Sequence, residues 1–344
     1  MARMPEPGTA DAFDALVASP QFERRCARGC LVSVPVSVEN FARAESDRMF
    51  ASFAADAGGV NRLQHHRVPT PVEHQPVIRM NRDTLYSAAV VDISEGATLT
   101  VPDGGRRYVS VMVVNQDHYI NRVFHESGRY ALTVDEFDTP WVAVAARVLV
   151  NPADEDDVAA VNALQDRFAV DAGSSRPFEM PDYDTASLDA TRASLLELAR
   201  GLRGFDHAFG AKADVDPVRH LLGTAAGWGG LPDNEARYIG VEPRLPVGEY
   251  ELTVRDVPVD GFWSISVYNA NGYFEPNDRN AYSVNNVTAT ANDDGSVTVH
   301  FGGDDDRPNL LPIMQGWNYT VRLYRPRPEV LDGSWTFPAL TGAS

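Results

Sequence analysis

Twice along the chain the hydrophobic period changes, and those two changes outline the architecture. Apolar and β-branched residues first come in short runs: Ala97 to Val101, Tyr108 to Val114, Tyr130 to Val134 and Trp141 to Val150. Gly, Asp and Pro turn clusters part them, as in a sandwich or barrel. Between Asn151 and Gly223 the period becomes helical. Asp154 to Asp157 place carboxylates in a first turn, and Val158, Val161, Leu164 and Phe168 form the stripe behind them. Leu188, Leu195, Leu198, Ala199 and Leu202 mark a second helix, and Asp216 followed by Pro217 reads as the cap and first residue of a third. From Arg237 the short runs return: Gly248 to Val254, Phe262 to Asn269, Val287 to Ala291, Ser296 to Phe301 and Asn318 to Arg325. Asn292 to Gly295 make a tight turn between two of them.

The expected fold is therefore mainly β with a helical insert, an α+β chain of two jelly-roll-like β-sandwiches. An N-terminal helical region occupies residues 1–60, with Phe41, Met49, Phe50 and Phe53 on its inner side and Glu45, Asp47 and Arg48 facing outward. The first sandwich spans 61–150, the insert 151–230 and the second sandwich 231–344. A length of 344 residues exceeds what one core usually serves, which agrees with this division.

Charge narrows the partners. Forty-eight acids against thirty bases leave a formal charge of -18, which repels phosphate backbones, so neither nucleic acid nor a membrane is expected as a partner. No run of residues has the apolar length of a bilayer span. The start of the chain, broken by Pro5 and Pro7, lacks the pattern of a secretory signal, and Cys26 and Cys30 suit reduced thiols; a cytoplasmic location is the expectation. Two cysteines cannot complete a four-sulfur zinc site.

No phosphate-binding glycine loop, His-Glu-x-x-His helix or Gly-x-Ser-x-Gly elbow is present, so no nucleotide cofactor is expected. Two polar and aromatic clusters stand out instead, Asn81 to Ser87 and Asn115 to Asn121. If they meet in a cleft, Asp83 serves as general base or divalent-cation ligand, Asp117 as its partner carboxylate and His118 as proton donor. Asn81 and Arg82 would then anchor an anionic or carbonyl oxygen, with Tyr86, Trp228 and Trp263 as further substrate contacts. The structural alternative has equal standing: Asn and Asp bond their own turns, Arg82 pairs with a carboxylate, and the large aromatics fill the core. His65, His66, His74 and His125 match no common ligand spacing and read as surface or rim residues. Asp304 to Asp306 read as a solvated hairpin tip.

The segment from Asn81-Arg82-Asp83-Thr84-Leu85-Tyr86-Ser87 through Val101-Pro102-Asp103 and Arg107-Tyr108 resembles the domain of unknown function 1254. Gly227-Trp228-Gly229-Gly230, Val257 to Ser264, Asp294-Gly295-Ser296, Arg322 to Pro326 and Asp332 to Trp335 resemble its companion, the domain of unknown function 1214. The likeness runs from about Asn40 to Pro338. It implies two jelly-roll-like sandwiches with a helical insert, assembled as a homo-oligomer, and no settled activity. One departure is Asn309-Leu310-Leu311-Pro312, where similar sequences carry Trp at the second position; this removes an aromatic stacking position. The function expected is that of a hydrolase or lyase for a small polar or carbohydrate-like substrate. Its rival is a non-catalytic ligand-binding or self-assembling protein.

Overall fold

The structure, a computed structural model, describes residues 33–75, 79–202, 204–303 and 306–342. The expectations for Cys26, Cys30, Asp304 and Asp305 lie outside the described residues. After helix α1 (Phe41–Asp56) come strands β1 (Gln64–His65), β2 (Thr84–Asp92), β3 (Ala97–Val101), β4 (Val109–Asn115), β5 (Ile120–Phe124) and β6 (Gly128–Leu132). The short helix α2 (Val134–Phe137), strand β7 (Trp141–Leu149), helix α3 (Glu155–Gln165) and strand β8 (Ala169–Ala172) follow. These strands build two antiparallel sheets, ordered β1-β2-β7-β4-β5 and β6-β3-β8. Leu99, Val111, Val113, Phe137 and Val144 fill the space between them, sealed by Val161, Leu164 and Phe168 around α3.

Alternation along β4 shows why both faces of the larger sheet are apolar. Val111 and Val113 point into the sandwich, while Met112 and Val114 point to a second core on the other side. That second core holds Phe50 and Phe53 of α1, Trp228, and Phe262, Tyr268 and Tyr324 from the C-terminal half. A strand covered on both faces carries no polar alternation. Every residue of β2 and β4 is buried accordingly.

Helices α4 (Thr185–Ala199) and α5 (Pro217–Ala226) pack with α1 through Phe41, Ala44, Leu188, Leu195 and Leu222. Asp216 caps α5, accepting from the backbone N–H of Val218 and Arg219, with Pro217 at the first helical position. Asp154 caps α3 in the same way, through Asp156 and Asp157.

The second sandwich comprises β9 (Ala236–Val241), β10 (Tyr250–Val254), β11 (Trp263–Tyr268), β12 (Ser283–Asn285), β13 (Val297–Phe301), β14 (Leu310–Leu311), β15 (Asn318–Tyr324), the short α6 (Pro328–Leu331) and β16 (Thr341–Gly342). Its sheets are ordered β14-β13-β10-β16 and β12-β11-β15-β9, around Leu252, Ile265, Val299, Phe301 and Val321. No described helix is long and apolar enough to cross a membrane.

Four details depart from the sequence reading. Strand β8 falls within the expected insert yet pairs with β3, so the first sandwich draws on chain well beyond residue 150. Residues 287–291 form no strand, because Asn285 Oδ1 accepts from the N–H groups of Val287 and Thr288 and turns the chain. Leu198 lies outside the helical core, 67% exposed. Glu45 and Asp47 are buried, not outward: α4 and the insert cover the polar side of α1 as well. There Glu45 meets Arg48 and Arg192, and Asp47 accepts from Gln116 Nε2 and Tyr183 Oη, each at 2.8 Å.

Candidate functional site

The cluster from Asn81 to Ser87 enters β2 at the seam between the sandwiches. Asp83 is fully buried; its Oδ1 accepts from Ser283 Oγ at 3.0 Å and Asn285 Nδ2 at 3.2 Å, both from β12. Its backbone N–H donates to Asn81 Oδ1. Asn81 Nδ2 in turn reaches the hydroxyls of Tyr324 at 3.0 Å and Tyr86 at 3.3 Å. Arg322, buried beside them, donates to Ser266 Oγ, Tyr268 Oη and the Arg79 carbonyl. Asp83 and Asn81 thus bond one sandwich to the other.

Asp117 and His118 stand at the opposite end of the same sheet. Thr84 pairs with Leu149 of β7, whereas Asn115 pairs with Val142. At ~3.3 Å per residue the two ends are roughly 23 Å apart. The three residues expected to share a cleft are not brought together. His118 is buried, with its Nε2 accepting from the Gly229 N–H at 2.8 Å and its Nδ1 at 2.8 Å from Thr224 Oγ1. Thr224 Oγ1 donates onward to the His220 carbonyl, so the proton between His118 and Thr224 belongs to Nδ1. Burial, then the neighbouring His220, push His118 well below the usual imidazole range and keep it neutral. Both ring nitrogens are spent on the protein itself. Asp117 is half-buried and paired with Arg43 at 2.7 Å.

The aromatic candidates fill cores. Trp228 is 1% exposed, stacks on His118 and donates from Nε1 to Ser46 Oγ. Phe262 and Trp263 point to opposite faces of β11 as strand geometry requires, Phe262 into the seam and Trp263 into the second sandwich. Tyr86 lies in the seam core with the Arg147 guanidinium over its ring.

A different set of groups borders open space. A cleft of about 530 Å³ lies among β5, the loop from Asp206 to Asp214, the loop from Pro232 to Glu235, and Leu331 of α6. Asp206, Asp214, Asp233 and Glu235 line it together with Arg122 and Arg237. Asp206 pairs with Arg237, and Arg122 reaches Glu136 at 3.2 Å. Burial pushes the Asp233 carboxyl up; the Asp206 charge adds to this, while the His207 N–H at 2.8 Å on Oδ2 opposes it. Glu235 Oε2 lies 2.6 Å from Nε2 of His125. The other ring nitrogen of His125, Nδ1, sits 2.9 Å from the Val109 carbonyl, which only accepts, so Nδ1 carries a proton. Nε2 and Oε2 thus face each other at ion-pair distance. The Tyr108 ring packs against His125 and fixes its plane.

None of Asp206, Asp233 or Glu235 stands out in the sequence, and His125 reads there as a rim residue. The two halves of the pair are 110 residues apart, and no local spacing joins them. Among the described residues, no three His, Cys, Asp or Glu side chains gather to hold a metal ion.

Two family models match the chain, a protein of unknown function (DUF1254) over residues 60–130 and a protein of unknown function (DUF1214) over residues 245–328. Among curated proteins none matches. The fold is similar to the crystal structure of the VPA0106 protein from Vibrio parahaemolyticus, with 18% identity and a TM-score of 0.68 over 89% of this chain and 98% of that one. A weaker likeness, TM-score 0.49 and 14% identity over 89% and 87% of the two chains, joins it to an uncharacterised protein from Burkholderia cenocepacia. The first likeness shows a shared fold.

Proposed function

We propose that this chain, which pairs a DUF1254 region with a DUF1214 region, is a hydrolase or lyase acting on a small polar or carbohydrate-like molecule in the cleft at Asp233 and Glu235. The observation that carries the reading is the Glu235–His125 contact at 2.6 Å in one cleft with Asp233, whose carboxyl burial pushes up. Two carboxyl groups in unlike surroundings in one cleft, one pushed up by burial and one set against an imidazole, divide the work of acid and base. Asp233 delivers a proton to the departing group. Glu235 takes one from water or substrate, and His125, pinned by the Val109 carbonyl, holds Glu235 in place. Arg237 and Arg122 supply positive charge at the wall for a polar oxygen.

The test is turnover by the parent on panels of esters, lactones, glycosides and hydroxy acids, followed by Glu235→Gln on any substrate found. A general base accounts for about 100-fold or more in rate. A Gln variant that keeps parental turnover sinks the reading, as does a parent that turns over nothing on the panels.

One observation favours the non-catalytic reading for the expected segment: the Asn81 amide and Asp83 Oδ1 are engaged in bonds that hold the sandwiches together. Under that reading the protein binds a ligand or assembles with its own copies, and Glu235→Gln alters neither.

A further inference from the structure

We propose that the cleft at the mouth of the seam is a second binding site, which takes a small hydroxy-carboxylate and anchors it on Arg82. The cleft, about 360 Å³, is walled by Arg82 and Asn151 from the first sandwich and by residues between Arg279 and Leu310 from the second. In a chain with 48 acids and 30 bases its lining contains no Asp or Glu, yet it contains two arginines. Its hydrogen-bonding groups are otherwise neutral, with amides from Asn151, Asn285 and Asn309 and hydroxyls from Ser283 and Thr288.

Arg82 is the group that asks for a ligand. It is only 8% exposed; Nη1 donates to the Thr70 carbonyl and Nε is buried with no hydrogen-bond partner. Its plane lies over the Tyr282 ring, 5.3 Å from the centroid. The adjacent carboxylate, Asp83, gives its Oδ1 to Ser283 and Asn285, and no described carboxylate lies within ion-pair distance of the Arg82 guanidinium. A buried cation with no carboxylate in contact is costly, and burial pulls the Arg82 pKa down against the more distant charges of Glu73 and Asp83. A carboxylate meets the planar guanidinium in matching geometry, and a hydroxyl on a short carbon body can donate to Ser283 Oγ or Thr288 Oγ1, whose own protons go to Asp83 and Asn285, or accept from the Asn151 amide. Because both sandwiches contribute walls, the bound acid would bridge them.

Isothermal titration of the full chain with tartrate tests this, with erythritol and inorganic phosphate as comparison ligands. Tartrate is expected to bind at one site, and Arg82→Gln is expected to weaken it at least ~tenfold, the usual loss when a charged hydrogen bond is removed. A second variant guards against a folding defect. Asn280 lies exposed on the rim with φ of 50°, a conformation Asp also accepts, so Asn280→Asp adds a negative charge at little structural cost. It is expected to weaken tartrate severalfold and to leave thermal unfolding unchanged. The proposal is overturned if the parent gives no binding at millimolar tartrate, if erythritol or phosphate binds as well as tartrate, or if both variants keep the parental affinity.

Discussion

Asp83 and Glu235 are both carboxylates drawn into the interior, and they differ in their partners. Asp83 faces Ser283 and Asn285, which give a hydrogen bond but do not exchange a proton near neutral pH. Glu235 faces the imidazole of His125, whose ring nitrogens can give or take a proton, and it borders a cleft. A buried acid surrounded by amides and hydroxyls holds parts of the molecule together. One set against imidazole beside open space is equipped to move protons. The polar richness of a segment, which drew attention to Asn81 to Ser87, does not distinguish the two cases.

The contrast is sharpest in a pair of variants. Glu235→Gln should lower turnover by about 100-fold or more while leaving the melting point within about 2 °C of the parent. Asp83→Ala should do the reverse. It removes the charge facing Arg322 and Arg82 and strands Ser283 and Asn285, a cost of about 3 kcal/mol in urea unfolding, with turnover per folded molecule within about threefold of the parent. If Asp83→Ala abolishes turnover in fully folded protein, the comparison breaks.

His118 gives the next largest effect. Its folded pKa is depressed, so the unfolded chain binds the extra proton first as pH falls through the model-peptide value of 6.5. Stability is fully present above that pH and declines below it, by about 1.4 kcal/mol per pH unit for this one group. Urea unfolding at pH 7.5 and 5.5 should show the decline in the parent and a shallower one in His118→Gln.

Asp154→Ala, which uncaps α3 outside the lining of the Asp233 cleft, should cost about 1 kcal/mol by the same assay and leave turnover unchanged. The smallest effect is expected at Asp206. Its charge helps to hold the proton on Asp233, so Asp206→Asn lets Asp233 ionise at lower pH, and the alkaline limb of kcat/KM moves to lower pH. A limb that stays in place argues that Asp233 is not the acid.

Much of the fold is legible in the chain because local chemistry and final environment agree. β3 alternates buried and half-buried residues as its sequence alternates, and Asp216-Pro217 opens α5 as a cap followed by proline should. Legibility fails where a second layer covers what a single face would leave in water. Glu45 and Asp47 are ordinary outward helix residues until α4 arrives with Arg192 and the insert brings Tyr183. β2 lacks alternation because it has no wet face. The candidate site fails for another reason, since the Glu235–His125 pair is made by docking one sandwich on the other.

The late strand β8 bears on how such a chain must be made. β3 lies between β6 and β8, and β8 is laid down about seventy residues after it. As the chain leaves the ribosome, the first sandwich has an open edge until residue 172 has emerged, and the apolar side chains that α3 covers wait for the same stretch. An unpaired edge is a template for pairing with a neighbouring chain. A fragment ended at residue 150, where the β-rich runs pause, would carry that edge permanently and should aggregate; one extended past Gly173 would close it.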